Sequence, residues 1–332
     1  MVLRNVALAA FLAVIASQAR AEDKIRILCP TWSGYAPVFV AQDLGYFAKL
    51  GLSVEIRFED ERPNVMAAMA RGDIEMDMRT IGEYQGRPRD ATTPGVIIGT
   101  IDQSVGGDGV IADGSVATVA DLKGKVLASE PNIPGRLLLQ LELKKHGMSL
   151  ADLSIKEIST ADTVPVFADP SIAAVATFQP FLSQVLENLG ARKPHVLVSS
   201  GDYPDIVTDV IIVRQDDLKQ HPDKYRKFLA GIYHAIHGFE TGRADFIKRA
   251  APHFNLSAED FEASIKGSLV YTGYNSVKAA LGTPAAPGTL YRTFDTVMQL
   301  NLENGAAEHR LAAETSIDSS VIAAVAPADL GE

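Results

Sequence analysis

Cysteine and tryptophan are almost absent from this chain of 332 residues, which contains one of each. The single cysteine, Cys29, excludes an internal disulfide. It falls inside an apolar run, and we interpret it as a small buried hydrophobic residue. A chain without disulfides depends on its core for stability. The hydrophobic fraction of 47% is ample for the cores of two domains.

Long apolar runs are also missing. No segment after residue 21 approaches the ~20 apolar residues that a membrane-spanning helix needs. The first 21 residues have the pattern of a secretory signal: Arg4, an apolar run at 6–16, and Ala19-Arg20-Ala21 as a small-x-small cleavage site. We predict cleavage after Ala21 and a mature protein in the periplasm. An uncleaved membrane anchor is the alternative.

Positive charge is scarce. The net charge is -10, and it becomes -12 when Arg4 and Arg20 are removed with the signal. Such an acidic protein is a poor candidate for binding nucleic acid or an anionic membrane surface. We therefore expect no nucleic-acid partner and a monomer in solution.

The usual catalytic and cofactor signatures are absent. There is no G-x-S-x-G, P-loop or H-E-x-x-H motif. Residues 107–112 match G-x-G-x-x-A, but they precede a strand instead of leading from a strand into a helix, so we interpret these glycines as a hinge. His234 and His237 have helical spacing without an evident third ligand. We predict no catalytic residue, no cofactor and no metal site.

Apolar β-rich runs alternate with helical patterns along the chain, which is typical of βαβ units with buried parallel strands. We predict an α/β fold with two lobes, each a mostly parallel sheet flanked by helices, and a ligand cleft between them. The predicted parts are residues 22–108 for the first lobe, 109–208 for the second, and 209–332 for a return to the first lobe with C-terminal helices.

Polar and aromatic residues follow several of the predicted strands. The only tryptophan lies in such a turn, at 31–35, and similar turns occur at 80–83 and 132–136. Helix N-termini at this edge of a sheet can bind anions. Asp102, Asp108 and Asp209 fall near the same edge, however, and carboxylates favour a cationic or N–H-rich ligand. The sign of the ligand charge stays open.

Five segments carry a resemblance to a known family. They are TWSGYAPVFVA at 31–41, LGYF at 44–47, GLSVE at 51–55, MAAMARGDIE at 66–75 and VADLKGKV at 119–126. Together they resemble the nitrate/sulfonate/taurine-type solute-binding proteins of ABC importers, in the superfamily that includes binding proteins for thiamine pyrimidine precursors.

The resemblance implies a protein that closes over a small solute, performs no chemistry and docks on a membrane permease. It also implies a set of ligand contacts in the turns and helix starts at the cleft. These contacts are Thr31, Trp32, Ser33, Tyr35, Thr80, Gly82, Gly107, Asp108, Asn132, Arg136, Phe178, Gln179 and Asp209.

Departures from the family pattern fall at positions expected to determine specificity. Many relatives have Trp-Glu-Pro where this chain has Phe178-Gln179-Pro180. The change replaces a charged contact with a neutral amide. With Trp32 and Tyr35, it favours a small, partly planar organic solute such as a sulfonate, amide, pyrimidine or other nitrogen compound. Two other functions stay open: an enzyme of pyrimidine-precursor synthesis and a ligand-dependent sensor partner.

Overall fold

The computed structural model describes residues 23–86, 95–283 and 285–330. The predicted signal segment, with its cleavage site after Ala21, lies outside these residues. Within the described ranges, no helix has both the length and the apolar character needed to cross a membrane.

Two separate sheets form the centres of two lobes, and a short hairpin lies outside them. The strands in chain order are β1 Asp23–Cys29, β2 Leu52–Phe58, β3 Met76–Thr80, β4 Val96–Ser104, β5 Asp108–Ala112, β6 Val126–Ser129, β7 Ser154–Glu157, β8 Ile172–Phe178, β9 His195–Ser199, β10 Thr208–Val213, β11 Leu269–Tyr271, β12 Gly282–Thr283 and β13 Ala286–Pro287.

The predicted α/β fold with two lobes is confirmed. The first sheet has the order β11-β4-β10-β3-β1-β2, and the second has the order β7-β6-β8-β5-β9. β1, β2 and β3 are parallel, as are β6, β7 and β8. β10 and β5 are antiparallel to their neighbours. The reason is that each follows directly after the chain has crossed from the other lobe.

Helices cover the sheets. Several begin with proline in their first turn, where its missing N–H has no intrahelical partner to lose. They are α1 Ala36–Asp43, α2 Tyr46–Lys49, α3 Arg62–Arg71, α4 Ile81–Gln85, α5 Pro134–Lys145, α6 Thr163–Phe167, α7 Phe181–Asn188, α8 Gln215–Gln220, α9 Pro222–Ala250, α10 Ala258–Ile265, α11 Tyr274–Leu281, α12 Thr289–Glu303, α13 Ala313–Ser316 and α14 Ser320–Ala323.

The cores follow this division. The first lobe contains one large apolar cluster in which helices from both ends of the chain pack on the first sheet. Two smaller clusters occupy the two faces of the second sheet. The helices after β10 therefore complete the first lobe.

Two local features complete the first lobe. Gly45, whose φ of 68° is left-handed, separates α1 from the short helix α2. Near the end of the described residues, α14 and a 3-10 turn at Pro327–Leu330 pack against the first lobe, and Leu330 is buried.

Candidate functional site

The turn after β1 places Trp32 at the carboxyl edge of the first sheet. Trp32 is buried, and its Nε1 donates hydrogen bonds to both carboxylate oxygens of Asp102 at 3.2 Å. Gly34 makes room for this contact. A β-carbon at residue 34 would lie 2.0 Å from Asp102 Oδ2 and 2.2 Å from Trp32 Nε1. The turn thus requires glycine at this position because of space.

Asp102 faces Asp209 across two neighbouring strands. The two residues are register partners on β4 and β10, so their side chains lie on the same face of the sheet. Tyr35 Oη donates to Asp209 Oδ1 at 2.5 Å. A hydrogen bond also joins the Asp209 and Asp102 carboxyls, which requires that one of the two holds a proton. The result is a buried chain of hydrogen bonds that runs from Tyr35 to Trp32.

Asp108 reaches the same place from the second lobe. It is the first residue of β5 and the register partner of Phe178 on β8. The ring of Phe178 meets the Trp32 ring edge-on, with centroids 6.4 Å apart and planes at 86°. Aromatic pairs favour this geometry. The two lobes therefore touch through these two rings, with the Asp108 carboxyl beside them.

Burial raises the pKa of all three aspartates. Burial raises the pKa of Asp108 to about 7, although a hydrogen bond from the Ser104 hydroxyl acts to lower it. It also raises the pKa of Asp102 and, together with the negative charge of Asp102, that of Asp209. Two adjacent carboxylates in a region of low dielectric do not both ionise readily, so the pair retains a proton near neutral pH.

Arg62 links the lobes on the other side of this cluster. It is the first residue of α3 and is almost fully buried. Its Nη2 lies 2.5 Å from Glu83 Oε1 in its own lobe and 3.4 Å from Glu130 Oε2 in the second lobe. Its Nη1 donates to the Pro131 carbonyl oxygen at 3.0 Å. One guanidinium thus binds both sides of the cleft.

Glu83 is held in place by its own helix and by two arginines. Thr80 caps α4, and the Glu83 carboxylate accepts hydrogen bonds from the Thr80 backbone N–H and hydroxyl. Arg79 Nη1 lies 3.7 Å from Glu83, and Arg79 Nε lies 2.9 Å from Asp77 Oδ2. Burial acts to raise the pKa of Glu83, but Arg62, Arg79 and Thr80 lower it overall. Glu83 is therefore an ionised, paired carboxylate.

A cavity lies where these groups meet. It offers about 20 Å³ to water-sized molecules, which is enough for about one water. The lobes are therefore close together. The lining residues come from both lobes: Pro30, Trp32, Tyr35, Thr80, Glu83, Asp108, Pro134, Phe178 and Asp209.

Six of the predicted contact residues line this cavity. They come from five separate segments that the fold brings to one point, and three of them are aromatic. The six are Trp32, Tyr35, Thr80, Asp108, Phe178 and Asp209.

The other predicted residues have different surroundings in the described part of the chain. Thr31 binds Asp60 through its N–H and hydroxyl. The Ser33 hydroxyl lies 3.1 Å from that of Ser264. The amide oxygen of Gln179 accepts a hydrogen bond from the backbone N–H of Ser183. Gly82, Gly107, Asn132 and Arg136 are not among the residues that line the cavity.

Several residues at the site were missing from the predicted set. Pro30, Glu83 and Pro134 line the cavity, Asp102 joins the buried carboxyl pair, and Arg62 bridges the lobes. Glu83 carries a detectable signal, because Thr80 and Glu83 form the capping-box pattern. Asp102 carries a weaker signal, its position near the end of a predicted strand, whereas Arg62 gives no local sign.

The described residues offer little for covalent or metal chemistry at this site. Neither a cysteine nor a histidine is among the lining residues. The Cys29 thiol is buried in β1, and burial raises its pKa well above the usual range, so it is a poor nucleophile. In residues 23–86, 95–283 and 285–330, no group of three His, Cys, Asp or Glu side chains has a metal-binding arrangement.

Comparison with known families decides the relationship. The profile described as "NMT1/THI5 like" matches residues 32–238. The chain belongs to this family. The match covers the aromatic turn, the whole second lobe and both crossings between the lobes.

Individual relatives are distant in sequence. A protein of Brucella abortus (strain 2308), described only as a candidate binding protein, is 24% identical over 241 residues, which are 72% of this chain and 74% of the relative. The structure of the alkanesulfonate-binding protein of Xanthomonas axonopodis pv. citri bound to MOPS has a TM-score of 0.70 at 16% identity, covering 89% of this chain and 98% of that one.

Other solved structures share the fold with different functions. The periplasmic nitrate-binding protein of Synechocystis PCC 6803 has a TM-score of 0.69 at 15% identity, covering 94% of this chain and 88% of that one. A desulfurization enzyme has a TM-score of 0.61 at 12% identity, with coverages of 91% and 98%. At these identities the likeness shows the fold and leaves the ligand to the site itself.

The buried aspartates predict that the ligand-free protein loses stability as the pH rises. A carboxyl with a higher pKa in the folded chain than in the unfolded chain stabilises the folded state. This contribution is complete at pH values below the unfolded pKa, and it is lost as the pH rises through the folded pKa. For Asp108 that range runs from 3.8 to about 7. We expect melting temperatures to fall between pH 5 and pH 8, and Asp102→Asn to reduce the fall by at least about 3 °C.

The control for this experiment is Asp295→Asn on the exposed face of α12. Its melting temperatures should follow those of the wild type at every pH. Equal pH slopes for Asp102→Asn and the wild type would contradict the assignment.

Space at residue 34 gives a second prediction. Gly34→Ala should displace Asp102 from Trp32, because the new β-carbon would overlap both side chains. We expect a shift in the emission of the chain's single tryptophan and at least a tenfold loss of solute affinity. Gly238→Ala is the control, since a β-carbon there meets nothing within 4 Å. Unchanged emission and affinity in Gly34→Ala would disprove the contact.

Proposed function

We propose that this protein is the periplasmic solute-binding component of an ABC importer. It captures a small organic solute between its lobes and delivers it to a membrane permease. The observation that carries the proposal is the cavity at the junction of the lobes, where Trp32 and Tyr35 of one lobe meet Phe178 and Asp108 of the other. Ligands of open α/β sheets bind at such strand ends.

Closure of the lobes is part of this proposal. The chain crosses between the sheets twice, at 105–107 and at 200–207, and we place the lobe boundaries at the ends of these crossings, because β5 of the second sheet begins at Asp108 and β10 of the first sheet begins at Thr208. Gly106 has a φ of 144°, which favours glycine, and a β-carbon at Gly107 would lie 2.4 Å from the Trp32 ring. A hinge movement here would open and close the cavity directly.

Arg62 provides a means of holding the closed form. Its contacts with Glu130 and the Pro131 carbonyl cross the cleft, while its contact with Glu83 stays within one lobe. A solute that binds groups of both lobes would stabilise the same form, since only the closed arrangement offers all of these contacts together.

Two alternative functions must be distinguished from transport by experiment. An enzyme of pyrimidine-precursor synthesis would consume its solute, and the shared fold of a desulfurization enzyme keeps that alternative in view. A sensor partner would bind and close in the same way but would act on a receptor. We propose the transport role together with a monomeric state and export with cleavage after Ala21. A curated relative is described as a candidate binding protein, and neither cysteine nor histidine lines the cavity, which supports a binding role.

The first test uses the single tryptophan, which lies in the cavity. Purified protein, unfolded and refolded to remove any bound solute, is titrated with sulfonates, carboxylates, amides, pyrimidines and small amines while Trp32 emission is followed. We expect saturable binding of one class, a smaller radius of gyration in solution scattering, and recovery of the compound unchanged. Chemical conversion of the compound would favour the enzyme instead.

The second test concerns the link between the lobes. Glu130→Gln should keep the hydrogen bond from Thr160 but remove the charge that faces Arg62. Charge-assisted hydrogen bonds contribute about 1.5–3 kcal/mol. The Arg62–Glu130 contact, at 3.4 Å, is longer than a strong hydrogen bond, so we expect a smaller effect. Solute affinity should fall about threefold to tenfold, mostly through faster dissociation. Glu187→Gln, at an exposed position of α7, is the matched control. Equal dissociation rates in both variants would argue against this role.

A further inference from the structure

The charged groups around the cavity divide into a paired and an unpaired set. The paired set consists of two buried arginines, Arg62 and Arg79, and their carboxylate partners. Arg62 lies beside Glu83 and Glu130, and Arg79 lies beside Asp77 and Glu83. Their positive charge is thus already balanced, and neither is a lining residue of the cavity between Trp32 and Phe178.

The unpaired set consists of Asp102, Asp108 and Asp209. Each is at most 4% exposed. Within the described residues, no Lys, Arg or His nitrogen lies within the 4.0 Å of an ion pair with them. Their donors are neutral groups, namely Trp32 Nε1, Tyr35 Oη and the hydroxyl of Ser104. Neutral donors orient a carboxylate but do not balance its charge.

Geometry directs these carboxyls to one place. Asp102 and Asp209 face the same side of the first sheet as register partners, and Asp108 begins the strand that enters the second sheet. Asp108 and Asp209 both line the cavity. An anionic solute there would meet carboxylates, and no Lys, Arg or His is among the lining residues to bind it. A cation would supply the missing partner.

The aromatic walls add a second requirement. Trp32, Tyr35 and Phe178 line the same cavity as the two aspartates. Aromatic faces and edges favour flat groups, and their faces also attract cations. A carboxylate between aromatic rings is a suitable partner for a planar group that presents several N–H donors.

We propose that the solute carries a cationic nitrogen group with several N–H donors, of the amidinium or guanidinium class, on a small flat body. Asp209 and Asp108 bind the N–H groups from opposite lobes, and Asp102 supports Asp209 through their shared hydrogen bond. This inference rests on the proposed solute-binding function. It differs from the chemistry of the sulfonate- and nitrate-binding structures that share the fold.

Binding of a cation should also release protons. The carboxyls are partly protonated near neutral pH, and the cation favours their ionised forms, so affinity should rise with pH. The titratable groups that interact with the three aspartates from the surrounding elements are Cys29, Tyr35, Glu83 and Tyr271. Burial holds the pKa of both tyrosines well above the usual range, so they stay neutral in this interval.

The decisive probes are benzamidine, benzamide and benzoate, which share one shape and carry charges of plus one, zero and minus one at neutral pH. Titration followed by Trp32 emission should give benzamidine at least tenfold tighter binding than benzamide, and benzoate the weakest binding. Between pH 6 and pH 8 the affinity for benzamidine should increase about tenfold.

A variant pair tests the role of the carboxylate. Asp209→Asn keeps an acceptor for Tyr35 but removes the charge, and we expect at least a tenfold loss of benzamidine affinity and a smaller pH dependence. Asp205→Asn is the control, because Asp205 is exposed and lies four residues away on the same crossing.

The outcomes separate this inference from the proposed function. Preferred binding of benzoate or benzenesulfonate, with closure of the lobes, would overturn the cationic solute and leave the solute-binding function intact. Equal affinities for all three probes would also overturn it. Failure of every probe here and in the broader panel to bind would count against both.

Discussion

The confinement of three aspartates to one buried corner is the constraint on which the site depends. The register of β4 and β10 sets Asp102 opposite Asp209, and the crossing into the second lobe brings Asp108 to the same cavity. Charged groups are rarely buried without a partner, since desolvation costs several kcal/mol per ion. Here protons and neutral donors stabilise the free protein. A cationic solute would stabilise the complex.

Neighbouring residues fix the positions of the buried aspartates. Gly34 leaves room for the Trp32 indole to meet Asp102, and Tyr35 fixes the orientation of Asp209. The arginines are engaged elsewhere: Arg62 joins the lobes, and Arg79 balances Asp77 beneath the sheet edge. One set of charges thus holds the lobes together, and the other remains for the solute. A shared fold can in this way serve ligands of opposite charge.

Sequence patterns were sufficient for the architecture, because alternating strand and helix patterns are local. They also identified the aromatic turn at Trp32 and the strand end at Phe178. The ligand charge stayed open, since both arginines and aspartates occur near predicted strand ends. Only the tertiary structure shows that Arg62 is paired across the cleft while Asp102 faces another carboxyl. Gln179 stays a predicted contact, and its amide oxygen accepts a hydrogen bond from the Ser183 backbone N–H in α7.

Infrared difference spectroscopy of the carboxyl groups tests the central claim most directly. The spectrum of the refolded protein at pH 7 is compared with that of its complex with benzamidine, using Asp209→Asn to assign the bands. The account predicts that binding removes absorption of protonated carboxyl groups and adds absorption of carboxylates. Protonated carboxyl bands that are unchanged or stronger in the complex would contradict it.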